Sequence, residues 1–169
     1  MDEIINRVAQ SALITLDLED FYPKGNRVAY DLKQNLFQEL ILREKDFRQF
    51  VSEHSWKDYQ DQFVAIYCSA DAIVPVWAYM LVSIHLTPFA KKIVFGTLEE
   101  LEKELFRESL QSIDIQAFKD KKVVIKGCGK IPIPTSAYTE ISRLLSPVVA
   151  SLMYGEPCST VPLFKKAKK

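Results

Sequence analysis

Apolar positions recur along the chain with two different periods. In LITLDLEDF, Leu13 and Ile14 lead into an alternation of Leu16 and Leu18 with Thr15, Asp17 and Glu19, the pattern of a half-buried strand. The turn YPKGN follows, and Asp31 is placed to cap a helix whose Leu32, Leu36, Phe37, Leu40 and Ile41 form one stripe. A second stripe runs through Phe47, Phe50 and Val51 until SEHSW ends it. FVAIYC at 63–68 is continuously apolar and β-rich, as expected of a strand covered on both faces.

SADAIVPVWAYMLVSIHL then reads as a helix capped by Ser69 or Asp71, with Pro75 in the first turn, where a missing N–H costs little. KKIVFG at 91–96 reads as a strand, and Thr97 with Glu100 forms a capping box for a helix carrying Leu98, Leu101 and Leu105. KKVVIK at 121–126 is a further strand. TSAYTEISRLLSPVVASLMYG reads as helix, kinked or divided at Ser146–Pro147 and ended by Gly155. The pattern shows no repeat and no internal linker. Strands and helices in alternation with short connections predict an α/β fold: one compact domain over residues 1–160, a mainly parallel sheet with helices on both faces, and a basic tail over 161–169.

Composition narrows the partners. Of 169 residues, 22 are basic and 22 acidic, so there is no charge excess to draw nucleic acid or an anionic membrane. No run approaches the length of a membrane span, and MDEIINRVAQ places acidic residues where a signal peptide is basic. The expectation is a cytoplasmic protein whose three cysteines are free thiols, metal ligands or redox groups.

In open α/β sheets, ligands bind beyond the carboxyl ends of the strands. Cys68 ends one expected strand and Gly127-Cys128-Gly129 ends another, so both cysteines are expected on one rim beside helix N-termini, which favour thiolates. Glycines flanking Cys128 let the backbone turn tightly or admit a ligand. Cys158 lies in the Gly/Pro-framed GEPCSTVP. Three sulfurs suit zinc or an iron–sulfur cluster, with Asp71, one helical turn after Cys68, as the fourth ligand, and Ser69, Ser159, Gly127 and Gly129 as further binding positions.

The cysteines lack the C-x-x-C spacing, a phosphatase-type arginine and a P-loop hydroxyl, and G-x-G-x-x-G, H-E-x-x-H and G-x-S-x-G are absent. His54 and His85 fall near expected helix ends and read as structural, Asp17, Glu19 and Asp20 as a solvated strand face, and Trp77, Tyr79 and Met80 as core. A thiol-dependent enzyme using Cys128 or Cys68, and an interaction protein whose cysteines only pack, are the alternatives to metal binding.

LDLEDFYP, LFQELILREKDFRQFV, CSADAIVPVWAYML, KGCGKIPIPTSAY and MYGEPCSTVPL together resemble an uncharacterised bacterial family, catalogued as domain of unknown function 2480, over nearly the whole chain. The resemblance implies no activity and no catalytic residue. It does imply an association with iron–sulfur cluster assembly genes, and so a protein partner in that process.

Overall fold

The computed structural model describes residues 13–167 except 128 and 157. In chain order the strands are β1 (Leu13–Leu16), β2 (Arg27–Asp31), β3 (Phe63–Tyr67), β4 (Lys92–Phe95), β5 (Lys122–Ile125), β6 (Ser151–Glu156) and β7 (Ser159–Lys165). The α-helices are α1 (Glu44–Glu53), α2 (Val76–Leu86), α3 (Leu98–Gln111) and α4 (Thr135–Leu145). The class is α/β with mainly parallel strands, as the periodicity predicts.

The strands divide between two sheets, and the chain between two compact units. The first unit comprises the residues up to Pro23 and those from Leu105 onward, and the second is Lys24–Glu104. In the first unit the sheet order is β1-β5-β6-β7, with β7 antiparallel to β6 and the other pairs parallel. In the second the order is β2-β3-β4, all parallel.

The units are built alike, which corrects the reading of a chain without repeats. The offset that carries Val64 to Val123 also carries Pro75 to Pro134, Ala78 to Ala137, Tyr79 to Tyr138, Leu86 to Leu145 and Gly96 to Gly155, without a gap. It superposes β3 on β5, α2 on α4 and β4 on the start of β6. Asp61 and Asp120, equivalent in this register, both have positive φ and donate backbone N–H bonds at 2.9 Å to the equivalent carbonyls of Phe89 and Val148. The repeat is hidden in sequence because it survives mainly at buried and turn positions, where geometry restricts the residue type.

Each unit has its own apolar centre. Leu16, Phe106, Leu110, Val123, Ile125, Ile141 and Leu145 are buried in the first. Tyr30, Phe47, Val51, Val64, Ile66, Ala78, Val82 and Leu86 are buried in the second. Trp56 Nε1 donates to the Val51 carbonyl at 2.7 Å, and His54 sits among the rings of Tyr30, Phe50, Trp56 and Tyr59.

Three elements differ from the periodicity reading. The strand at LITLDLEDF stops at Leu16, because Asp17 accepts the Glu19 N–H at 3.0 Å and starts a 3-10 turn over Leu18–Phe21. The helix expected from Asp31 is only a 3-10 turn over Leu32–Asn35; beyond it Gln38 and Glu39 have positive φ, and Phe37, Leu40 and Ile41 are exposed. VVASLMYG is turn and strand rather than helix, since β6 finds partners in β5 and β7 that periodicity does not register. β2 and β7 went unpredicted for the same reason. The Thr97–Glu100 capping box is present: Thr97 N–H donates to Glu100 Oε2 at 2.6 Å, and Glu100 N–H to Thr97 Oγ1 at 3.5 Å.

Candidate functional site

In the first unit β1, β5 and β6 run parallel, so residues just beyond Leu16, Ile125 and Glu156 gather at one rim. Asp17 and Glu19 come from the 3-10 turn after β1 and its cap, Lys126, Gly127 and Gly129 to Ile131 from the loop after β5, and Tyr154 to Glu156 from the end of β6, with Cys158 in the turn that follows. Lys126 Nζ donates to Asp17 Oδ2 at 2.6 Å. Glu19 Oε1 accepts the Ile131 N–H at 2.8 Å and so ties down the far side of the loop.

This arrangement answers why glycine flanks Cys128. A Cβ on Gly127 would stand 3.0 Å from Tyr154 Cζ and 3.3 Å from the Gly155 Cα, and the Tyr154 hydroxyl donates to the Gly127 carbonyl at 3.2 Å. A Cβ on Gly129 would overlap the Glu19 carboxylate. Both glycines are therefore clearance residues, for a tyrosine ring and for a carboxylate that holds the loop. Gly127 is the clearance residue expected, with no positive φ to require a turn glycine, whereas Gly129, expected mainly as a turn residue, is the one that makes room for the Glu19 carboxylate.

The Lys126 ammonium, bonded to Asp17, holds that carboxyl below the usual carboxylate range, with the backbone N–H of Glu19 adding to the effect. The same bond, with the charges of Glu19 and Glu156, raises Lys126. Asp17 thus adds stability above its unfolded pKa of about 3.9 that is lost as pH falls through the lower folded value. The Lys126 contribution has the opposite sense, present below about 10.4 and lost as pH rises through the folded pKa. An Asp17→Asn variant is expected to show a shallower loss of stability below about pH 4 than the parent, measured by acid titration under circular dichroism. Identical acid limbs would remove the ion pair from the account.

The proposed ligands are distributed as follows. Cys158 is exposed in the turn between β6 and β7, and Ser159 is exposed at the start of β7. Cys128 lies outside the described residues. Cys68 is half-buried after β3, its thiol directed at the Ala70 carbonyl at 3.9 Å. Ser69 serves neither as a helix cap nor as an open binding group: its N–H and hydroxyl donate to the Asp31 carboxylate at 3.0 and 2.5 Å, and Pro75 takes the N-cap of α2. Asp71 is exposed. The strands before Cys68 and Cys128 belong to different sheets, not to one sheet with a common rim. Among the described residues no three His, Cys, Asp or Glu side chains converge as metal ligands.

Nothing in the sequence singles out Lys126 or Tyr154. Strand alternation extended past Leu16 makes Asp17 and Glu19 a solvated face, whereas the structure turns both into partners of the loop after β5. An Asp followed by Leu after each unit's first strand, in LDLED and YDLKQ, is the signal that marks a cap instead.

Comparison with known proteins bears on the whole chain. Residues 2–166 match the family model described as Protein of unknown function (DUF2480). The chain belongs to this family. No curated protein and no solved structure matches it significantly. The match spans both units, so the repeat lies within the one family model. Among the described residues no helix is long and apolar enough to cross a membrane.

Proposed function

We propose that this protein is a metal-handling accessory protein, acting in iron–sulfur or zinc metabolism, in which Cys128 and Cys158 form a two-thiol site at the rim of the first unit. The observation that carries this reading is the parallel pairing of β5 with β6. Ile125 is in register with Tyr154, and the chains stay side by side as far as Gly127 and Gly155, so both cysteine-bearing loops depart from neighbouring points. A soft metal ion favours thiolate sulfur, and with two protein ligands it keeps positions open for a partner or an acceptor. Cys68, on the other sheet, is left out of this site.

Anaerobically purified protein is expected to carry zinc or iron, and Cys128→Ser and Cys158→Ser are each expected to lose it while Cys68→Ser retains it. Elemental analysis of the three variants decides. Equal metal content in all three, or metal-free parent protein with unchanged folding, sinks the proposal. A second reading, an interaction protein whose cysteines only pack, is favoured by the exposed apolar face of the second unit.

A further inference from the structure

The repeat shows what the second unit lacks. In the first unit the edge of β6 is covered by β7, and Leu163 of β7 joins Tyr138, Thr139, Ser142 and Tyr154 around a groove of about 410 Å³. The equivalent groove of the second unit, about 540 Å³, is lined by Tyr79, Met80, Ser83 and Phe95 at matching positions, together with Val76 and Ile84. There the equivalent edge, β4, pairs only with β3 among the described residues. Phe95 packs edge-on against Tyr79 at 5.1 Å yet is 72% exposed.

The helix beside this edge carries the same message. On α4 the outward positions hold Thr135, Thr139 and Arg143; on α2 the same positions hold Val76, Met80 and Ile84, which are 73%, 59% and 65% exposed. A surface helix apolar on its outer as well as its inner face is normally covered. An open strand edge beside such a face is a template for strand addition.

We propose that β4 and the outer face of α2 form a self-association surface, occupied by the same surface of a second copy of this chain. β4 (Lys92–Phe95) is short and apolar at its centre, with basic Lys91 and Lys92 at its start and the acidic Glu99 and Glu100 in the capped first turn of α3 just beyond its end, a layout that is self-complementary when two copies pair antiparallel. A two-fold axis at Val94 sets Ile93 opposite Phe95 of the second copy, and brings the basic Lys91 end of one β4 toward Glu99 and Glu100 that follow the other. Such a closed isologous contact buries both apolar faces and removes both open edges. It uses antiparallel pairing, as β7 does on β6. This inference is independent of the thiol reading, because neither Cys128 nor Cys158 takes part.

The test is sedimentation of the full chain under reducing conditions from about 1 to about 100 μM, with Met80→Thr/Ile84→Arg as the variant. Both replacements are the residues that α4 carries at these positions, and circular dichroism reports whether the fold is kept; Val76→Thr, chosen on the same ground, replaces the pair if it is not. A dimeric parent is expected, with association at least about tenfold weaker in the variant and with amide protection of residues 92–95 rising with parent concentration. A parent monomeric throughout overturns the proposal, whether the first residues of the chain or another protein covers the groove. So does a folded variant that dimerises like the parent, or dimerisation that leaves β4 exchange unchanged.

Discussion

Replacing Gly155 with alanine is expected to cost about 3 kcal/mol of stability, more than alanine at either glycine beside Cys128. Gly155 has φ +125°, a region L-residues rarely enter, and an added Cβ would stand 2.5 Å from the Ser159 carbonyl oxygen. That neighbour is backbone within the β6–β7 pair, so nothing flexible moves aside. At Gly127 the nearest atom is the Tyr154 ring at 3.0 Å, which yields more easily, and a cost of about 1 kcal/mol is expected there. Denaturant unfolding of the two variants compares them directly. A Gly155→Ala variant within about 0.5 kcal/mol of the parent would mean that the turn carrying Cys158 is not constrained as described, and would weaken the two-thiol site with it.

The second large effect lies in the paired cores. Phe47 on α1 and Phe106 on α3 are equivalent in the repeat, and both are buried, in the second and the first unit respectively. Alanine at either removes an aromatic side chain from a closed apolar centre and is expected to cost about 3–5 kcal/mol. Since no residue is shared between the two buried clusters, the double variant is expected to lose the sum of the single effects. Urea unfolding of the two single variants and the double variant tests this. Strong non-additivity would show that the clusters act as one, and loss of less than about 1 kcal/mol from either would contradict its place in a core.

The fold class was legible in the sequence because it rests on local chemistry. The continuous apolar run FVAIYC, the Thr97–Glu100 capping box and the alternation of strands with helices need no distant partner to be read. Strand partners were not legible. β7 carries Pro162 and mostly exposed positions and becomes a strand only by folding back on β6, whereas β2 and the apolar run of β6, which suits helix as well as strand, pair with strands about thirty residues or more away.

The same division holds at the candidate site. By itself the sequence determined that glycines flank Cys128, that Asp17 and Asp31 stand one residue before a leucine, and that three cysteines sit beside turn-forming residues. Only the tertiary structure decided what those residues meet. Gly127 is small for Tyr154 and Gly129 for Glu19, contacts between the loop after β5 and elements distant in sequence that periodicity has no means to register. The tertiary structure also decided that Cys68 follows a strand of one sheet and the loop of Cys128 a strand of the other, because sheet membership is set by long-range hydrogen bonding and not by the pattern within any one strand.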